Sequence, residues 1–178
     1  MRWFVVLLFL LPGTVSANDW AALEQPGAIA IMRHALAPGT GDPSTLQVGD
    51  CTTQRNLDER GRAQARAIGE AFRSRGIEFD KVFSSQWCRT METAELLGLG
   101  AVTAEPALNS FFQDFSTRDS QTADARALIK REQGRLMLVT HQVNISALTG
   151  RATRSGEVLV IRAGSQGVEI LGSILIAP

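Results

Sequence analysis

Three short segments, Ala28–Met32, Lys81–Phe83 and Leu136–Val139, do most to restrict the folds open to this chain. Each is too short for a helix, is bounded by turn residues, and reads as a largely buried strand. Longer amphipathic stretches lie between them. Strands alternating with helices predict an α/β protein, and the spacing predicts a three-layer α/β/α single domain with a mainly parallel central sheet. A chain of 178 residues suits one such domain, with no internal repeat and no linker to divide it.

The intervening stretches carry their own punctuation. Asp58 is a good N-cap for a helix running to about Arg75, with Ala63, Ala67, Ile68, Ala71 and Phe72 as its core face and Gly76 as its stop. Ser84-Ser85 forms the turn and cap into a second helix, Gln86 to about Leu97, buried along Thr90, Ala94 and Leu97 and halted by Gly98. Val102–Ala104 is a short strand, Pro106–Arg118 is irregular, and Ser120–Gln133 is a helix with Ala123, Ala127 and Leu128 inward. Val143–Leu148 is a short helix ending at Gly150. Glu157–Arg162 and Val168–Ile176 are two final strands paired through a glycine-containing turn. Asn18–Gln25 is a short leading helix. The stretch Ala35–Asn56, rich in Gly, Pro, Thr and Asp, is a loop long enough to be functional and is placed to wall a site.

Residues 1–17 have the pattern of a secretory signal. Arg2 supplies the positive start, Trp3–Leu11 the apolar run, and Val15-Ser16-Ala17 a small-residue cleavage site. The expectation is removal after Ala17 and a location outside the cytoplasm, periplasmic or secreted; a retained anchor is the alternative. Export bears on the two cysteines, Cys51 and Cys88. In an oxidising compartment they are candidates for a disulfide, worth roughly 4 kcal/mol on the chain-entropy model; two free thiols are the rival reading. Lys+Arg and Asp+Glu balance at 18 each, which argues against nucleic acid as the main partner.

Function is concentrated at strand ends. The first strand ends at Arg33-His34, the second runs through Ser84-Ser85 to Arg89, and Leu136–Val139 ends at Thr140-His141. In a parallel sheet these ends share one edge, where ligands bind. Both histidines of the chain fall there. Arg89 lies in the first turn of its helix, where the macrodipole disfavours a cation and an anion would relieve it; the alternatives are that it bends into solvent or pairs with Glu92 at i+3. The helix after His141 presents free N–H groups at its start. Two guanidiniums and two imidazoles suit a phosphate, with forked hydrogen bonds to its oxygens and an imidazole able to attack phosphorus. His34 then needs one ring nitrogen neutral and pocket-facing, which a carbonyl on the other nitrogen would achieve. The candidate phosphate-binding set is Arg33, His34, Arg89, His141 and Gln142.

At these residues the chain resembles the histidine phosphatase superfamily, which includes the cofactor-dependent phosphoglycerate mutases and the phosphohistidine phosphatases. Arg33-His34-Ala35 is similar to its Arg-His-Gly/Ala motif. Ser84-Ser85 with Arg89-Thr90 and Glu92-Thr93-Ala94 is similar to its second block, Thr140-His141 to its later histidine, and Asn56-Leu57-Asp58 with Gly61 to the start of its first long helix. The resemblance runs from about Ile29 to Leu148. It implies that His34 is the nucleophile that becomes phosphohistidine, that Arg33 and Arg89 bind the phosphoryl oxygens, and that His141 stabilises the transition state. It implies no metal and no other cofactor, and a small phosphorylated substrate as partner. Gln142 follows His141 where the acid-phosphatase and phytase branch has aspartate.

The chain departs from the mutase-like pattern at Asn109, where a glutamate would protonate the leaving group. Asp114 and Glu157 are the candidate general acids in its place, each with a plain reading as a solvated carboxylate. Three functions stay open: an exported phosphatase acting on a phosphomonoester or phosphoramidate, a phosphate-binding pseudoenzyme domain lacking the acid, and an envelope enzyme acting on a phosphorylated lipopolysaccharide sugar.

Overall fold

A computed structural model describes residues 18–165 and 167–178; the expected signal segment, 1–17, lies outside them. Six strands form one sheet: β1 (Ile29–Arg33), β2 (Lys81–Ser84), β3 (Val102–Ala104), β4 (Leu136–Thr140), β5 (Val158–Gly164) and β6 (Gly167–Ile174), in the spatial order β3-β2-β4-β1-β5-β6. β1, β2, β3 and β4 are mutually parallel, and β5 and β6 add an antiparallel hairpin at one side. The register sets Arg33 beside Thr140 and Ser84 beside Val139, so the chain leaves β1, β2 and β4 at one level.

Strand alternation divides the core into two layers. Ala30 and Met32 of β1 and Met137 and Val139 of β4 face the helices α1 (Glu59–Arg73) and α2 (Cys88–Leu97) through Ile68, Phe72, Ala94 and Leu97. Ile29, Ile31, Leu136 and Leu138 face α3 (Arg118–Arg131) and α4 (Gln142–Thr149) through Ala125, Leu128, Ile129, Ile145 and Leu148. The result is the three-layer α/β/α arrangement. Pro106–Leu108 and Phe115–Thr117, within the stretch expected to be irregular, are single 3-10 turns. The leading segment, Trp20–Glu24, is also 3-10.

Two helix faces differ from the pattern expected of the alanines. In α1 the buried stripe is Gly61, Gln64, Ala65, Ile68, Gly69 and Phe72, whereas Ala63 and Ala67 are exposed. The glycines set this rotation: a Cβ on Gly69 would stand 1.9 Å from the Leu97 carbonyl oxygen, and one on Gly61 1.9 Å from that of Leu36. Backbone contact that close needs glycine at the interface. In α3, Thr122, Ala125, Leu128 and Ile129 are buried while Ala123 and Ala127 face out. Alanine satisfies either side of a helix, so the larger Leu128 and Ile129 decide which side turns inward.

Caps follow their sequence signals more closely. The Asp58 carboxylate accepts from the Gly61 N–H at 2.8 Å, and Gly98 and Gly150 close α2 and α4 in left-handed conformation. α2 starts at Cys88, two residues later than the serine signal suggests: the Ser85 hydroxyl lies 2.8 Å from His141 Nε2 and accepts from the N–H of the N-cap residue, Trp87, at 3.3 Å. Cys88 is bonded to Cys51, Cα–Cα 5.6 Å, which ties the long loop after β1 to the first residue of α2.

Candidate active site

His34 leaves β1 with its N–H on the Thr140 carbonyl at 3.0 Å, which places it alongside His141 at the end of β4; the ring centroids are 5.6 Å apart. His34 is only 2 % exposed. Its Nδ1 lies 2.7 Å from the carbonyl oxygen of Ala35 and therefore carries the proton, which leaves Nε2 as a lone pair. A neutral imidazole fits the surroundings. Burial first, then the Arg89, Arg33 and Arg55 charges, push its pKa well below the ordinary value, opposed by the Ala35 carbonyl.

His141 is held by a directional chain. An Arg89 N–H faces Nδ1 at 3.4 Å, so Nε2–H donates to Ser85 Oγ at 2.8 Å, and Ser85 Oγ–H donates to Asn109 Oδ1 at 3.2 Å. Asn109 is fixed in turn by the Gln86 N–H at 2.8 Å and by its own donation to Gln86 Oε1, also 2.8 Å. Burial and the Arg89 charge also push the His141 pKa well below its ordinary value. Asn109 thus occupies a supporting layer behind the histidine.

The cations converge on the same point. Arg33 is anchored by donation to the Thr153 carbonyl at 3.2 Å, and Thr153 is held by Gln142 Oε1. Arg89, 3 % exposed, grips Asp42 with both arms of its fork, at 2.6 Å and 2.9 Å. The anion that relieves the positive helix start is thus Asp42; Glu92, the nearer partner in sequence, pairs with Arg62. Arg55 donates to the Gly41 carbonyl at 2.8 Å and to that of Ala37, and its own N–H binds Asp42 Oδ1 at 3.0 Å. Crowding among cations shows in Arg55, whose pKa falls to about 10 through burial and the Arg89 charge. Burial raises the Asp42 carboxyl, but the Arg89 hydrogen bonds and charge outweigh it and hold the group below the usual carboxylate range. The Nε atoms of Arg33 and Arg89 are buried donors without a protein partner.

These groups line a cleft of about 210 Å³. The structure brings Arg33, His34, Arg89, His141 and Gln142 together in its wall. The Gln142 amide is committed to Thr153 and Ser146, which leaves its helix-start backbone, not its side chain, facing a ligand. Asp114 and Glu157 are not in the cleft. Asp114 is exposed and caps the turn at Ser116, and Glu157 is buried against Arg151, Ser173 and the Arg154 N–H. The long loop contributes Gly39–Asp42 and Arg55 to the wall, and the connection between β3 and α3 contributes Ser110 and Phe112. Asp42 and Arg55 had one signal in the sequence: both sit in the glycine-rich loop that directly follows Arg33-His34. Among the described residues no cluster of three or more His, Cys, Asp or Glu is placed to hold a metal ion.

The family model described as "Histidine phosphatase superfamily (branch 1)" matches residues 29–127. The chain belongs to the histidine phosphatase superfamily. Within that superfamily it is 42 % identical over 65 residues to the mitochondrial serine/threonine-protein phosphatase Pgam5 of Drosophila virilis. That match covers 36 % of this chain and 22 % of the relative, so the chain spans about a fifth of the length of the curated relatives it matches. Solved superfamily structures share the fold at low identity. The protein histidine phosphatase SixA complexed with tungstate superposes with a TM-score of 0.59 at 16 % identity, covering 83 % of this chain and 96 % of that one. A phosphoserine phosphatase from Entamoeba histolytica, in complex with 3-phosphoglyceric acid, superposes with a TM-score of 0.61 at 12 % identity, covering 84 % and 97 %.

Proposed function

We propose that this protein is an exported phosphatase that hydrolyses a phosphomonoester or phosphoramidate through a phosphohistidine on His34. The observation that carries the reading is the His34 Nδ1–H bond to Ala35, which leaves an unprotonated Nε2 in a cleft lined by three guanidiniums. Arg33, Arg55 and Arg89 bind the phosphoryl oxygens, and their fixed charge stabilises the equatorial oxygens of the transition state. His34 Nε2 attacks phosphorus, the leaving group departs, and water hydrolyses the phosphohistidine. The second histidine, kept in one tautomer by Ser85 and Asn109, presents Nδ1 toward Arg89 and positions that guanidinium on the phosphoryl group. Export is supported by the signal pattern of residues 1–17 and by the Cys51–Cys88 disulfide, which persists in oxidising compartments.

The test is hydrolysis of p-nitrophenyl phosphate by the wild type and by His34→Ala. The variant is expected to lose at least about 10³-fold in kcat, the scale of removing a covalent nucleophile, while phosphate from labelled substrate is trapped on the wild type in acid-labile, alkali-stable form. Equal activity in the two proteins would overturn the assignment.

A further inference from the structure

We infer that Asp42 is the proton donor to the leaving group, an inference that rests on the phosphatase reading above. Departure of an alkoxide needs a proton, and Asn109 has none to give: its amide is committed to Ser85 and Gln86. Asp114 and Glu157 are engaged elsewhere. Among the described residues that line the cleft, Asp42 is the one carboxylic acid.

Its position is built. The side chain is 6 % exposed. The Arg55 N–H holds Oδ1, Gln113 Nε2 donates to the Asp42 carbonyl at 3.3 Å, and Arg55 clips the same loop through the Gly41 and Ala37 carbonyls. A disulfide fixes the far end of the loop to α2. The charged group that holds the carboxylate is the Arg89 guanidinium, with the Arg55 and Arg33 guanidiniums and the two neutral histidines around it in the cleft.

The Arg89 fork that holds the carboxylate in the free protein is the fork a phosphoryl group requires. When the phosphoryl oxygens take it, Asp42 loses its paired Arg89 fork and stands beside a dianion in a partly buried cleft. Both changes favour the protonated carboxyl. Substrate binding therefore loads the acid. His34 Nε2 then bonds to phosphorus, the P–O bond to the leaving group breaks, and the Asp42 proton passes to that oxygen, giving a free alcohol, a phosphohistidine and a carboxylate. In the second half a water oxygen attacks phosphorus, its proton returns to Asp42, and the P–N bond breaks with its electron pair returning to Nε2. The products are inorganic phosphate, neutral His34 and a protonated Asp42; as phosphate leaves, Arg89 takes back the carboxylate and the proton that solvent supplied on substrate binding returns to solvent, which closes the cycle.

The test compares wild type with Asp42→Asn on two substrates that share an aromatic ring, p-nitrophenyl phosphate and phenethyl phosphate. The variant is expected to lose about 10²–10⁴-fold in kcat on the alkyl ester, whose oxygen leaves poorly, and less than about tenfold on the nitrophenyl ester, which leaves unaided. Equal losses on both, the mark of a folding or binding defect, or no loss on the alkyl ester would overturn the proposal. A readout independent of turnover is tungstate binding by calorimetry in two buffers of different ionisation enthalpy. Uptake by any group other than Asp42 is common to both proteins, so the difference reads Asp42 alone, and the wild type is expected to take up close to one proton more than Asp42→Asn. Equal uptake, or no tungstate binding by the wild type, overturns the proposal. Full activity of His34→Ala on the nitrophenyl ester would instead remove the phosphatase reading and leave the uptake difference standing on its own.

Discussion

At the residue scale the site is governed by how few of its groups are free to ionise. His34 and His141 are both almost fully buried next to cations, and both are held neutral in the fold. Their unfolded counterparts titrate near pH 6.5. Below that pH the unfolded chain binds protons that the folded protein does not, so stability decreases as the pH falls. Asp42 acts in the opposite range: its depressed pKa adds stability that is present above the unfolded value near 3.9 and is lost only as the pH falls through the lower folded value. Between about pH 7.5 and 5.5 the histidines therefore set the slope. Thermal melts across that window are expected to show Tm falling in the wild type and falling less steeply in His34→Gln; identical slopes would contradict a buried neutral His34. Arg33, His34, Arg89 and His141 were legible because each ends a strand or opens a helix after one. Asp42 was not, since it meets Arg89 across 47 residues of chain and by sequence distance Glu92 was the better partner. Only the tertiary path, with Glu92 drawn to Arg62, reverses that preference.

Among elements, the loop between β1 and α1 matters most, because a single 3-10 turn, Cys51–Thr53, is all the regular structure described in it and yet it supplies Asp42 and Arg55. Arg55 clips it internally, and the Cys51–Cys88 bond pins it next to Arg89. Cys51→Ser/Cys88→Ser is expected to lower unfolding free energy by roughly 4 kcal/mol on the chain-entropy model and to weaken tungstate binding, since Asp42 and Arg55 lose their tether to α2. A urea melt gives the first quantity and calorimetry the second; an unchanged urea midpoint would show the loop to be held by its hydrogen bonds alone. The strands and most helix ends could be read from apolar runs and from Asp58, Gly98 and Gly150. The rotation of α1 could not: small residues pattern poorly, and only the approach of Gly61 to Leu36 and of Gly69 to Leu97 shows which side is packed.

Across the whole molecule, charge that balances in the sequence is unbalanced in space. Lys+Arg and Asp+Glu are equal in number, yet Arg33, Arg55 and Arg89 line one cleft with a single carboxylate between them. The parallel strands produce this by ending at one level, and the surplus of positive charge lies where partial burial strengthens Coulomb attraction. A dianion should therefore bind the folded state and not the unfolded chain, where the arginines are dispersed. At 100 times its Kd, orthophosphate adds about 2.7 kcal/mol. With a Tm shift of roughly 2–4 °C per kcal/mol in a domain of this size, the expected rise is about 5–11 °C. Arg89→Met has a lower Tm to begin with, because it strands the Asp42 carboxylate in a buried position without its cation. The informative quantity is thus the phosphate-induced shift within each protein. That shift should nearly vanish in Arg89→Met. A shift of equal size in the variant would place the anion elsewhere on the surface, and the convergence of the three strand ends would then have no part in binding it.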